Sequence, residues 1–275
     1  MLLHYVFSKT LWYHLNVMKE YIKDNAIAWD FENSKDNFWT VGVNEKQFNL
    51  AKNGDLQIYL SPIKFVKPEW VSDIRGKKIL ALACGGGQQS IMLSAAGADV
   101  TVLDISKKQI ETDIETAKKY GLDIKAIQGD MQDLSMFADC TFDMIFNPTS
   151  TCFISEVQKT YDECYRVLKI GGTFLTSATN PILYIFDEKK EFKGKLKVKY
   201  TVPYSDLKSL KKSDVEKMIK RHDTIEFSHT WDILLGGLFE AGFIVDDMYT
   251  DLSGLEIVDS FVHDCYFALH AKKLK

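Results

Sequence analysis

The run Ile79-Leu80-Ala81-Leu82-Ala83-Cys84-Gly85-Gly86-Gly87 decides the fold. Its continuous apolar part is short and reads, with Lys78, as a buried strand from Lys78 to Ala83. Glycines end it, and a helical pattern follows from Gln88 to Ala96, closed by Gly97. This strand–turn–helix unit is then repeated down the chain. A second strand, Asp99 to Leu103, ends at Asp104. The next helix is predicted to start on a capping box of Ser106 and Gln109, to set Ile110, Ile114 and Ala117 on one face, and to stop at Gly121. A third strand, Ile124 to Gln128, leads into Gly129-Asp130-Met131, and a fourth, Phe142 to Phe146, leads into Asn147-Pro148. Val157, Tyr161, Cys164 and Leu168 mark a helix stopped by Gly171-Gly172, and Thr173 to Ser177 is a fifth strand. Such alternation means βαβ units and a parallel sheet.

The rhythm breaks over residues 180–227. This segment has a basic stretch from Lys189 to Lys199, a strand-like piece from Lys197 to Val202, and a helix with Ser213 and Glu216 as caps. A helix from Thr230 to Ala241 and strands Phe243 to Met248 and Phe261 to Ala271 complete the pattern. The last two strands have no helical crossover between them and should pair antiparallel. The expected fold is α/β: a Rossmann-like, doubly wound, seven-stranded sheet, mostly parallel with the last strand antiparallel. N-terminal and inserted segments cap it. The boundaries read as an N-terminal helical or cap segment over 1–76 and a main domain over 77–275 with its cap insertion at 180–227.

Composition sets the outer limits. The chain has 275 residues, 46% hydrophobic and 26% charged, with a formal net charge of -4. Disorder needs lower hydrophobicity and higher charge, and proteins that hold nucleic acid by bulk charge are strongly basic. The five cysteines, Cys84, Cys140, Cys152, Cys164 and Cys265, have neither paired nor metal-ligand spacing, so no metal site is expected and a reducing, cytoplasmic setting is. No apolar stretch is long enough to span a membrane. Met1 to Val17 lacks the basic start and small-residue cleavage site of a signal peptide. It reads either as a leader ahead of a second start at Met18 or as a short helix packed on the domain.

In an open α/β sheet, ligands bind at the carboxyl ends of the strands. Gly85, Gly86, Gly87, Asp104, Asp130 and Asn147 all fall there. The glycine turn lets backbone approach a ligand closely, and the helix that follows presents free N–H groups to an anion. Asp104, nineteen residues after Gly85, is placed to accept from both hydroxyls of a ribose. Asp130 is placed to meet an adenine amino group or a backbone donor. Taken singly, each has a plainer reading: a tight loop, a solvated helix-start acid, a loop acid, a turn-forming asparagine. Their arrival at the ends of consecutive strands carries the inference of a nucleoside site with an anionic group at the helix start. A dinucleotide site is the rival, but its G-x-G-x-x-G fingerprint lacks its third glycine, because Gln88, Gln89 and Ser90 follow Gly87.

As a set, Ile79–Gly87, Gly129-Asp130-Met131, Phe142-Asp143-Met144-Ile145-Phe146 and Tyr165-Arg166-Val167-Leu168-Lys169-Ile170-Gly171-Gly172 resemble, in order, the motifs of class I S-adenosylmethionine-dependent methyltransferases. They are most similar to the type 11 branch related to quinone-biosynthesis enzymes. The resemblance covers Lys77 to Thr179, and the last helix and two strands by layout. It implies S-adenosyl-L-methionine as cofactor and methyl transfer to a small-molecule acceptor. It also implies Ala83, Gly85, Gly86, Gly87 and Gln88 around the methionyl and ribose parts, Asp104 on the ribose diol and Ile105 beside the adenine. Asp130 and Met131 would hold the adenine edge, and Asn147 would border the methyl-transfer site. Two positions depart from the family: Ala81 stands where an acid is common, and Ala83 where a glycine is. Asn147-Pro148 is also similar to the motif of amino-directed nucleic-acid methyltransferases, but Thr149 and Ser150 replace its second proline and its aromatic residue.

No residue is assigned to catalysis. Trp29, Phe38 and Trp39 could line an acceptor pocket or pack in the core. His229 reads as a helix cap or an exposed residue rather than a general base. The lysines from Lys189 to Lys220 read as a solvated face rather than an anion site. An oxidoreductase, a non-catalytic adenosylmethionine binder and an RNA methyltransferase are the competing functions.

Overall fold

The computed structural model describes residues 20–35, 37–191 and 193–275; the expectation for Met1 to Val17 lies outside them. Strands β1 (Lys78–Leu82), β2 (Asp99–Asp104), β3 (Ile124–Gln128), β4 (Phe142–Asn147), β5 (Leu168–Thr179), β6 (Ile244–Asp251) and β7 (Tyr266–Lys272) form one sheet. Its order is β3-β2-β1-β4-β5-β7-β6. Strands β1 to β5 pair in parallel, and β7 runs antiparallel between β5 and β6. This is the expected Rossmann-like architecture with its reversed last strand. The strand order turns back at β1 and β4, which opens a crevice over their carboxyl ends.

Helices cover both faces. They are α1 (20–33), α2 (Glu45–Lys52), α3 (Gln89–Ala95), α4 (Lys107–Tyr120) and α5 (Val157–Val167). Successive strand residues point to opposite faces. Ile79, Ala81, Val100 and Val102 therefore pack with Ile91, Leu93, Ile110 and Ala117 of α3 and α4. Leu80, Leu82, Ile145 and Phe174 meet Val157, Tyr161 and Cys164 of α5 on the other side, with Leu234 and Leu238. Burial on both faces explains why β1 reads as an unbroken apolar run.

Several expectations need correction. Helix α5 ends at Val167 and Leu168 opens β5, ahead of Gly171-Gly172. Leu168 pairs with Phe142, while Thr173 pairs with Met144, so the glycines lie in an irregularity of the strand and not at a helix stop. On α4, Ile114 is exposed while Asp113 is fully buried. Residues 197–202 form no strand; Val198 makes a single bridge to Phe186. The helix Lys212–Arg221 takes Lys211 as its N-cap, with no side-chain cap, so Ser213 does not start it. The helical stretch before β6 opens with a π turn, Asp232–Gly236, ahead of Gly237–Ala241. Among the described residues, no helix is long and apolar enough to cross a membrane.

Two chain segments lie over the crevice. Helix α1 donates from Asn25 Nδ2 to the carbonyls of Phe153 and Ile225, at 3.1 and 3.0 Å. Tyr21 packs with Val215, Ile225 and Phe227 of the insertion in a third core. Asp30 accepts from the Ser106 hydroxyl at 2.6 Å and the Lys108 N–H at 3.0 Å, so its charge sits on the positive end of α4. Further along, Asp251 is buried at the end of β6. One of its oxygens accepts from Ser61 Oγ and from the Ile63 and Lys64 N–H groups, at 2.7 to 2.8 Å.

Candidate active site

A cavity of about 1010 Å³ opens over the ends of β1, β2 and β4 and extends under the cap. That size is at the upper end for ligand pockets and has room for two small molecules side by side. Seven of the predicted site residues lie in its wall: Ala83, Gly85, Gln88, Asp104, Ile105, Asp130 and Met131.

Asp104 is the anchor. It is 6% exposed. Its Oδ2 accepts from the Gly85 N–H and its Oδ1 from the Ser106 N–H, both at 2.9 Å. Burial raises its pKa, against the N–H groups of Ser106, Gly85 and Ile105 that lower it. Each carboxylate oxygen keeps acceptor capacity on its cavity side. A Cβ on Gly85 would lie 2.6 Å from Gln109 Cβ and 3.0 Å from Asp104 Cβ, so glycine is required for the turn to close over these side chains.

The capping box is only half formed. Ser106 Oγ accepts from the Gln109 N–H at 3.1 Å. The return bond is blocked because Asp104 already holds the Ser106 N–H. Gln109 is left in the cavity wall, 5% exposed, with its Oε1 lacking a partner. A buried amide oxygen without a donor is costly; this one lies against Gly86, with no surface open to the cavity.

Gly86, Gly87 and Asn147 do not lie on the cavity wall. Gly86 and Gly87 have φ of +100° and +71°. A Cβ on Gly86 would lie 2.5 Å from Gln109 Oε1, and one on Gly87 2.6 Å from Thr116 Oγ1. The Gly87 carbonyl accepts from the Val43 N–H at 2.8 Å. These glycines let α4 and the N-terminal segment pack on the turn. Asn147 is fully buried. It donates to the Leu82 carbonyl at 2.9 Å and to Ser150 Oγ at 2.8 Å, and accepts from Thr176 Oγ1 at 3.0 Å. With those bonds it ties β4 to β1 and β5.

Sequence reasoning misses Asp113. It accepts from the Gly86 N–H at 2.9 Å and from the Ser90 hydroxyl. Burial raises its pKa to about 7, and the charge of Asp104 adds to that. The family's acid is missing at Ala81, which is buried in the core; Asp113, from α4, holds the glycine turn from beneath instead. Ala83 lies at a φ of +49°, the left-handed region where the family's glycine is at ease.

The other sequence candidates divide. Trp29 and Trp39 line the cavity; Phe38 is 63% exposed. Gln88 Nε2 donates to the carbonyls of Phe38 and Val41 at 2.5 and 2.8 Å, which ties the N-terminal segment to the turn. His229 is buried, with Nε2 between the carbonyls of Thr151 and Ile154 at 3.0 and 2.9 Å. Burial lowers its pKa, so the neutral ring donates to these carbonyls and fixes the turn after β4.

Residues 80–176 match the family described as a methyltransferase domain. Over 246 residues the chain is 41% identical to an uncharacterized methyltransferase, YbaJ, of Bacillus subtilis, covering 90% of this chain and 96% of that protein. The chain belongs to the class I S-adenosylmethionine-dependent methyltransferases. The cypemycin N-terminal methyltransferase of a Streptomyces species is 34% identical over 119 residues, 41% of this methyltransferase and 47% of that one. Among solved structures, an S-adenosylmethionine-dependent methyltransferase from Mesorhizobium loti has a TM-score of 0.55 at 18% identity, covering 74% of this chain and 94% of its own. The [4+2]-cyclase SpnF reaches 0.53 at 18% identity, over 74% and 77%. The fold alone therefore does not set the reaction. The methyltransferase uses S-adenosylmethionine, and the Asp104 carboxylate beside a glycine turn is suited to a ribose-bearing ligand.

Proposed function

We propose that this methyltransferase acts on a small molecule enclosed between the strand ends and the cap. The observation that carries the reading is the continuous cavity that runs from Asp104 and Asp130 to Tyr184 and Glu226. Adenosylmethionine supplies an electrophilic methyl group for in-line displacement. On this reading Asp104 accepts from the ribose hydroxyls, with Gln109 beside it. Ile105 and Met131 give apolar contact to the adenine, and Asp130 accepts from its amino group. Ala83, Gly85 and Gln88 border the methionyl part. Asp130 is steadied by Gln132, whose backbone N–H donates to its Oδ1 at 2.9 Å. Positioning two reactants in one cavity supplies much of the acceleration.

We assign α1 of the N-terminal segment and residues 180–227 to the cap, in line with the Tyr21, Val215 and Ile225 cluster, and the rest of 77–275 to the cofactor domain, whose core also takes in Val43, Ile58, Leu60 and Trp70. The five cysteines are free thiols, which supports the cytoplasm as its compartment. The net charge of -4 weighs against a polyanionic acceptor. The test is methyl-labelled adenosylmethionine incubated with the enzyme and an extract split by ultrafiltration. Label is expected in the small-molecule fraction; label confined to protein or RNA contradicts the reading.

A further inference from the structure

The cap half of the cavity has a chemistry of its own. Tyr184, Tyr200 and Tyr204 form a ring cluster there, with centroids 5.6 and 5.0 Å apart along it. Tyr184 donates from its hydroxyl to Glu226 Oε2 at 2.8 Å. Tyr204 donates to Asp206 Oδ1 at 2.7 Å, and Asp206 Oδ2 accepts from the Glu226 N–H at 2.7 Å. Ile225 and Phe227 are buried in the cap core, so the alternation of the chain turns Glu226 toward the cavity.

The cations of this wall are largely spoken for. Lys199 pairs with Asp187 at 3.4 Å, Lys217 with Asp214 at 3.5 Å, and Arg221 with Asp223. Among the described residues, Glu188, Glu191, Asp206 and Glu226 have no ion pair, against Lys189 alone. Unpaired charge on the wall is therefore negative, and it is faced by aromatic rings.

Building on the chamber reading above, we propose that this half is a cation site and that the acceptor is an amine whose ammonium proton passes to Glu226. The proton leaves nitrogen for a Glu226 oxygen. The freed lone pair forms the new N–C bond as the S–C bond breaks, and that bond's electron pair stays on sulfur. Lys199 already lies over the Tyr200 ring, 4.6 Å from its centroid, so the Tyr184 and Tyr204 rings and the carboxylates favour the cationic substrate, and a base that titrates near the working pH suits the transfer. Burial pushes the Glu226 carboxyl up to about 7, with Asp206 and Glu188 adding to it and the Tyr184 and Thr224 hydroxyls opposing. Cys152, Tyr204 and Tyr266 also face it, with thiol and phenol pKa values raised chiefly by burial.

The probe pair is choline and 3,3-dimethylbutanol, which share a shape and differ in charge. In calorimetry on the full chain, choline is expected to bind about tenfold tighter or more than its neutral isostere. Glu226→Gln is expected to remove that preference while adenosylhomocysteine affinity and thermal unfolding stay unchanged. Equal binding, absence of choline binding, or a preference that survives in Glu226→Gln overturns the cation site. In the extract experiment the labelled product should be retained on a cation exchanger, and Glu226→Gln should lower its formation on the order of a hundredfold. A labelled small molecule in the unretained fraction overturns the amine assignment and leaves the chamber reading standing; label only in macromolecules overturns the chamber reading itself.

Discussion

Replacing Asp113 by alanine is expected to cost about 2–5 kcal/mol of folding stability, measured by denaturant unfolding. The residue is fully buried on α4. Its two oxygens accept from the Gly86 N–H and the Ser90 hydroxyl, and the substitution leaves both donors buried without acceptors. The glycine turn would lose its support, so cofactor affinity should fall with stability. Asp113→Asn is expected to be far milder, because the new amide can accept from one partner and donate to the other. The two variants also separate charge from hydrogen bonding. Burial raises the Asp113 pKa to about 7, so between about pH 4 and pH 7 the folded chain holds a proton that the unfolded chain has released. Stability from this group is then greatest at low pH and is lost as pH rises through that window. The asparagine variant should flatten that part of the profile. An unchanged slope would show that Asp113 does not carry it.

Asp104→Ala should weaken adenosylhomocysteine binding by about 1–3 kcal/mol, the scale of a hydrogen bond to a charged group. The same change frees the Gly85 and Ser106 N–H groups, so some loss of stability accompanies it. Asp104→Asn is the milder variant: its amide oxygen can accept from one of the two backbone N–H groups, while its NH2 group opposes the other and the charge is removed. If the ribose assignment holds, both variants lose affinity by calorimetry, and the asparagine variant does so with a smaller loss of thermal stability than the alanine variant. Affinity equal to the parent's in Asp104→Asn would remove Asp104 from the ribose site.

The sheet was legible because its signals are local. Buried parallel strands appear as short apolar runs, and Gly121 stops α4 in a left-handed cap. The strand-end acids Asp104 and Asp130 follow from topology, since the end of each strand faces the crevice. What escaped was side-chain destination. Apolar periodicity put Ile114 inside, but the buried position on α4 belongs to Asp113, a carboxylate that sequence reading assigns to solvent. Ser106 and Gln109 have the spacing of a capping box, yet Asp104 competes for the same N–H, and nothing in the spacing shows that. Asn147 ends its strand as expected, but its amide bonds across three strands turn it inward. Glu226 lies in a charged insertion far from any motif. The one local sign of it was its place between Ile225 and Phe227, two apolar residues that bury opposite it. The lysines of the insertion read as a solvated face, and the fold gives two of them, Lys199 and Lys217, the partners Asp187 and Asp214.

A crystal structure with adenosylhomocysteine bound tests the central claim most directly. The account predicts the ribose hydroxyls within hydrogen-bond distance of Asp104, the adenine against Ile105 and Met131 with its amino group at Asp130, and the sulfur facing the chamber that ends at Tyr184 and Glu226. Adenosylhomocysteine bound elsewhere, or with its ribose away from Asp104, would contradict it.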